Sequence, residues 1–178
     1  MSTTTYQIDP AHSAAHFSVR HLTIANIRGS FGKVSGAVEF DPSNAAASRV
    51  EATIDIASLS TGDPQRDGHL KAADFLDAEK FPSMTFHSKK VVSAGANSFT
   101  VVGDLTLHGV TKEATVSVEG LQAEVKDPWG NMRLGALAKA RVSRKDFGLV
   151  WNVAIEAGGV MISDEVEVTI DAELMRKP

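Results

Sequence analysis

Cysteine is absent from the 178 residues. That excludes a disulfide framework, a thiolate zinc site, an iron–sulfur cluster and a cysteine nucleophile, and it leaves the redox compartment open. Long hydrophobic runs are missing as well. No apolar stretch approaches the ~18 residues of a membrane span, so no integral membrane segment is expected. Charge of one sign is not in excess: eighteen Lys and Arg stand against twenty-two Asp and Glu. The densest basic groups, Lys89-Lys90, Arg144-Lys145 and Arg176-Lys177, form no stripe, so nucleic acid is not an expected partner. The opening from Met1 to Pro10 lacks the basic and apolar regions of a signal peptide. This reads as a soluble, cytoplasmic protein; a trimmed precursor, and hence a periplasmic protein, would read the same, although Met1 argues against it. With no repeat or linker in view, residues 1–178 suit one domain, which at this length buries roughly 70% of the surface of the unfolded chain.

What is present is alternation of apolar and polar residues, the mark of a half-buried strand. Val166, Val168, Ile170, Ala172 and Leu174 share one face, and Glu165, Glu167, Thr169, Asp171 and Glu173 the other. The same period runs through Val34 to Phe40, Val50 to Ile56, Phe99 to Leu107 and Ala114 to Val118, with further strands around Phe17-Val19, around Met84-Phe86 and along Met132 to Val142. Asp127-Pro128-Trp129-Gly130 has the residue order of a type I turn, with Trp129 read as a hairpin plug. His108-Gly109 and Ala157-Gly158-Gly159 are the other turn signals, and Asn44 to Ser48 reads as a loop. One segment departs from the pattern. Asp63 reads as an N-cap with Pro64 at the first helical position, predicting a short helix within Asp63 to Ala73 and a further turn at Asp77 to Lys80, stopped by Pro82. Successive strands with one helical interruption imply an all-β sandwich or barrel.

The two architectures differ in what fills the middle. The faces expected to point inward carry Gly36, Ala52, Gly103, Ala114, Ala136, Ala138, Ala140 and Ala172 among larger residues. In a barrel, such a lining leaves space for a ligand; in a sandwich, Phe from one sheet fills the gap opposite Ala of the other. Small residues also occur where strands bend or approach closely.

Candidate chemistry is sparse. Asp9, His12 and Ser13 have the residue types of a hydrolytic triad, but five residues of chain offer little room for its geometry. Of six histidines, His12 and His16 are expected on one strand face and His21 on the other, while His69, His87 and His108 fall on separate elements. No metal site and no cofactor are expected from this spacing. Arg66-Asp67 reads as a local ion pair.

Several segments together resemble the YceI-like family of polyisoprenoid-binding proteins. They are Ile8-Asp9 to His12-Ser13 with Phe17, Val19 and His21; Gly29 to Phe31; Phe40-Asp41-Pro42; Arg66-Asp67 with His69-Leu70 and Asp74-Phe75; and Phe81-Pro82 to Phe86. Gly103 to Lys112, Asp127 to Gly130 with Arg133, and Arg144 to Gly148 continue the match along nearly the whole chain. The resemblance implies a lipocalin-like, eight-stranded antiparallel barrel with the helix at one end, holding the tail of an isoprenoid quinone, a polyprenyl phosphate or a fatty amide. Many members of that family are exported, whereas this chain begins almost at its first strand, as cytoplasmic members do.

On this reading the chain binds a long-chain lipid as carrier or sequestering protein and is not an enzyme. Phe17, Val19, Val38, Phe40, Ile54, Met84, Phe86, Phe99, Leu105, Leu134, Ala138 and Phe147 are the expected tail contacts, with His21 near the head. An enzyme using a histidine base in the same cavity, and a homodimer pairing through small-residue surfaces with the cavity incidental, are the competing readings.

Overall fold

Alternation gives the longer strands one face that water rejects, and twelve strands, long and short, form in the computed structural model, which describes residues 3–121, 123–156 and 159–178. They are β1 (Thr4–Ile8), β2 (Ala14–His21), β3 (Ala25–Phe31), β4 (Val34–Phe40), β5 (Arg49–Asp55) and β6 (Leu59–Ser60). The one α-helix among the described residues, α1 (Pro64–Lys71), follows. Then come β7 (Ser83–Gly95), β8 (Ser98–Leu107), β9 (Val110–Glu119), β10 (Val125–Lys126), β11 (Met132–Ser143) and β12 (Ile162–Arg176). No helix among the described residues is long and apolar enough to cross a membrane.

All pairings are antiparallel, in the order β10-β11-β9-β8-β7-β5-β4-β1-β12-β2-β3-β6, and β11 also pairs with β12. That last pairing closes the sheet on itself. The first three staves of the ring are each broken in two. β1 and β2 lie end to end along β12, with Ile8 opposite Leu174 and Ala14 opposite Asp171. β4 and β3 flank them, and β5 and β6 flank those in turn. Counted by staves, the barrel has eight strands, so the barrel and not the sandwich is the fold. The breaks lie side by side: the Asp55 N–H bonds to the Lys33 carbonyl at 3.0 Å, and the Lys33 N–H to Ser58 Oγ at 3.1 Å. The backbone at the β3–β4 and β5–β6 breaks is thus satisfied by its neighbour.

The helix forms where the capping chemistry places it. The Asp63 carboxylate accepts from the Gln65 and Arg66 N–H groups at 2.9 and 3.2 Å, and Pro64 occupies the first turn. The Asp77 carbonyl then accepts from Lys80 and Phe81 before Pro82. The Asn44 to Ser48 loop contains one 3-10 turn, Ala45–Ala47. His108 and Gly109, at φ 54° and 72°, form the two-residue turn between β8 and β9. Of the Ala157-Gly158-Gly159 signal, Ala157 and Gly158 lie outside the described residues.

Three local readings are corrected. Trp129 is no plug: it is 82% exposed at the tip of the turn that Asp127 organises. Arg66 and Asp67 do not pair with each other; both converge on Thr61, Arg66 Nε donating to its hydroxyl and that hydroxyl donating to Asp67. His12 precedes β2 and so shares no strand face with His16.

Gly36 and Gly103 also prove to be close-approach positions rather than spare volume. A Cβ at Gly36 would collide with the Glu51 carbonyl oxygen, and one at Gly103 with that of His87. Gly103 sits opposite a bulge in β7, where the register steps from Ser88 to Lys90. The bulge moves the inward parity from Met84 and Phe86 to Val91.

At the end away from α1, Arg133 of β11 ties three segments together. It donates to Asp9 and Asp127 at 2.7 Å each and to Glu173 at 2.6 Å. The Arg133 and His12 hydrogen bonds hold the Asp9 carboxyl at about 2. Burial would push Asp127 upward, but hydrogen bonds from Arg133 and Asn131 hold it well below the usual carboxylate range.

Two predictions follow from these packing and charge arrangements. Gly103→Ala should cost ~1–3 kcal/mol by overpacking, whereas Gly135→Ala, which meets nothing within 4 Å, should be neutral or slightly stabilising; urea midpoints separate them. Because the folded-state pKa of Asp9 is depressed, its contribution is present above the unfolded value near 3.8 and is lost as pH falls toward 2. The wild type should therefore lose stability steeply across that window. Arg133→Gln should melt several degrees lower at pH 7 and lose less on acidification, measured by thermal unfolding at pH 7, 4 and 2.5.

Candidate functional site

A barrel whose inward residues are small cannot fill itself, and this one encloses a cavity of about 700 Å³, in the range of small-molecule sites. Nearly every stave contributes to its wall. From β2 come Phe17, Val19 and His21; from β4, Val38 and Phe40; and from β5, Ile54. Met84 and Phe86 of β7, Phe99 and Leu105 of β8, and Ala138 of β11 complete the set that the structure gathers around the cavity. β11 is regular from Arg133 to Ser143, so Ala136, Ala138 and Ala140 all face the space, with Ala138 opposite Ile170 of β12. Ala114 and Ala172 line it too.

Two expected contacts stand apart from this wall. Leu134 shares the parity of Ala136 but is 3% exposed within the packed core, paired with Leu174. Phe147 lies on a 3-10 turn after β11, where it borders an outer groove between β9 and β11; its carbonyl accepts from His108 Nδ1 at 3.1 Å. The alternation rule gave Leu134 its face but not its depth, and it says nothing of Phe147, which is not in a strand.

The cavity is asymmetric along the barrel. Away from α1 it ends against the smaller core cluster of Val91, Phe99 and Val101, with Phe40 edge-on to Phe99 at 5.3 Å. At the α1 end its wall includes Asp63, Gln65, Arg66 and His69 of the helical segment, His21 of β2 and Trp151. β3 pairs with β6 only at Ser30 and Phe31, so the helix covers a stretch where the sheet is incomplete. His69 and Trp151 meet edge to face at 4.8 Å, with Phe75 beside both, and His69 Nε2 bonds Asp74 at 3.1 Å. One end of the site is therefore apolar and closely packed, and the other polar and half-exposed.

The segment after β11 is held by one buried cation. Arg144 is 3% exposed and donates to the carbonyls of Leu149, Trp151, Ile162 and Ser163. Burial pulls its pKa down, and Asp164 at 3.7 Å opposes that shift. This is how Trp151, in a non-periodic stretch that alternation cannot read, is set at the mouth. Val116 and Val118, by contrast, line the cavity and were open to the alternation argument.

The triad-like residues do not converge. His12 Nδ1 donates to Asp9 at 2.9 Å, but Ser13 Oγ turns to the backbone of Glu173, accepting from its N–H at 3.0 Å. Asp9, His12 and Glu173 could in principle share a cation, yet the Arg133 guanidinium already occupies the position between the two carboxylates.

The YceI-like domain matches this chain over residues 6–174. A UPF0312 protein of Vibrio cholerae is 42% identical over 146 residues, covering 81% of this chain and 77% of its own. The crystal structure of BcnA of Burkholderia cenocepacia superposes with a TM-score of 0.79 at 26% identity, over 93% of this chain and 98% of that one. A polyisoprenoid binding domain from Saccharophagus degradans, implicated in plant cell wall breakdown, shares the fold at TM-score 0.67 and 18% identity, over 98% and 99% of the two chains. With the family match spanning almost every stave of the barrel, the chain belongs to the YceI-like family.

Proposed function

We propose that the barrel binds a long-chain amphiphile, an isoprenoid quinone, a polyprenyl phosphate or a fatty amide, as its carrier or sequestering protein. The observation that carries this reading is the cavity itself: about 700 Å³ of space walled by aliphatic and aromatic side chains from both halves of the chain. Empty apolar space of this kind costs stability, and an apolar tail removes that cost. Each buried methylene contributes ~0.8 kcal/mol, so about ten of them offset a mid-range loss of ~8 kcal/mol in translational and ordering freedom. The site therefore selects for length rather than for particular polar contacts.

The tail lies between Ala138 and Phe17 with its end toward Phe99, and the head sits at the polar mouth among His21, Arg66 and His69. The protein acts by binding and not by catalysis. Asp9 is held by Arg133 and His12, and Ser13 by the Glu173 backbone, while Arg66, His69 and Arg144, among the titratable groups that border the cavity, are held by partners of their own. The polyisoprenoid binding domain of Saccharophagus degradans agrees in fold, and the weight of the proposal rests on the cavity.

Enlarging Ala138 tests it. Ala138→Phe should reduce the lipid recovered by mass spectrometry of an organic extract by roughly tenfold or more, a loss of ~1.4 kcal/mol or more in binding. The added ring enters open space, so Tm should move by less than the ~2–4 °C that 1 kcal/mol produces in a chain of this size. Full lipid retention with a sharply lowered Tm would mean that this face is ordinary packed core.

A further inference from the structure

The mouth carries aliphatic residues that the fold does not use. Ile24, at the tip between β2 and β3, is 75% exposed, and Val150, Val153 and Val160 of the segment that Arg144 holds are 64%, 48% and 41% exposed. The two segments are bound together: the Leu22 N–H donates to the Met161 carbonyl at 2.8 Å, and the Met161 N–H donates to the Val153 carbonyl at 2.8 Å. Val160 bridges Ala154, so the valines and Ile24 stand on adjoining backbone beside His21 and Trp151 of the mouth. Four exposed branched aliphatics around one opening are more than the single surface apolar residues that need no explanation.

The tip that presents Ile24 is also strained. Leu22 and Thr23 both adopt left-handed backbone, at φ 50° and 62°, where an Asn-Gly pair is the usual choice and a β-branched residue is disfavoured. The Thr23 carbonyl is held by Arg20 Nε at 3.2 Å. Arg20 and Arg28 are exposed on the strands leading into and out of this tip, and neither has an acidic partner among the described residues. Of the carboxylates at this end, Asp63 caps α1, Asp67 binds Thr61, Asp74 binds His69 and Asp164 pairs with Lys145 at 3.2 Å, while Glu79, Asp146 and Glu156 are exposed and none of them lies on the β2–β3 tip itself. Uncommitted charge on the tip is thus positive although the chain is net acidic.

We infer that this rim docks on an anionic phospholipid surface, with Ile24, Val153 and Val160 entering the headgroup layer and Arg20 and Arg28 meeting lipid phosphates. Shallow apolar insertion beside basic side chains is the chemistry of interfacial binding. It rests on the cavity reading for its purpose, which is to let a tail pass between bilayer and barrel without crossing water, but the docking itself needs no cargo.

Flotation with vesicles of phosphatidylglycerol and phosphatidylethanolamine tests the surface directly, with phosphatidylcholine vesicles alongside. The wild type should float with the anionic vesicles and less with the neutral ones, and raised salt should release it. Ile24→Ser with Val160→Ser should lower the bound fraction roughly tenfold or more, and Arg28→Gln roughly fivefold, both at unchanged Tm. Trp129→Ser, at the other end of the barrel, should float like the wild type. Failure of the wild type to float, equal flotation of the Ile24/Val160 variant, loss confined to Trp129→Ser, or self-association through Ile24 in sedimentation would each overturn the docking. Lipid in the organic extract is read separately. A protein that carries lipid yet ignores vesicles loses only this inference, and one that floats but carries none loses only the cargo reading.

Discussion

Pairing between β11 and β12 is the constraint on which the rest of the molecule depends. Eleven consecutive residue pairs, from Arg133–Met175 to Ser143–Glu165, join what would otherwise be an open sheet with unpaired edges. The same pairing sets the hollow. Its inward positions pair Ala136 with Ala172 and Ala138 with Ile170, so the seam that closes the barrel is also the part of its wall that intrudes least. Closure and cavity are therefore one feature: the sheet can close because the seam is regular, and the interior stays open because the seam is small.

The barrel's two ends answer different needs. At one, Arg133 gathers carboxylates from the β1–β2 break, the β10–β11 turn and β12, and the Tyr6 hydroxyl, pushed up to about 12 by burial and its hydrogen bond to Glu124, adds a further tie. At the other, backbone rather than charge is being held: Arg144 collects four carbonyls, and Asp63 and Thr61 organise a helix whose polar residues border the cavity. A tightly paired end and an end built from a helix and an irregular segment give the cavity a direction. That direction makes the exposed aliphatics at the mouth matter more than Trp129 at the far end.

Local order was legible in the sequence because it rests on local rules. Period-two alternation gives the inward face of β8, β11 and β12 without any knowledge of their neighbours, and Asp63-Pro64 sets the start of α1 by capping chemistry alone. Aliphatic and aromatic positions on these and other alternating strands, Phe17 of β2, Ile54 of β5 and Leu105 of β8 among them, could be named as inward for the same reason. Turn chemistry at Asp127 to Gly130 likewise needs only four residues.

Tertiary structure alone decided what depends on partners distant in the chain. The bulge after Ser88 reverses the parity of β7 because Gly103 opposite it must admit the His87 carbonyl, a fact held by two strands and not by either. β1 and β3 are short and weakly patterned, and become strands through pairing with β12, β4 and β2. Leu134 and Ala136 share a face by sequence; depth within the barrel separates core from cavity wall. Trp151 is set at the mouth by Arg144 and by packing on His69, and Arg66 and Asp67 meet Thr61 rather than each other. Alternation determines which way a side chain faces, since that follows from backbone geometry, whereas what it faces follows from closure, which is a property of the whole ring.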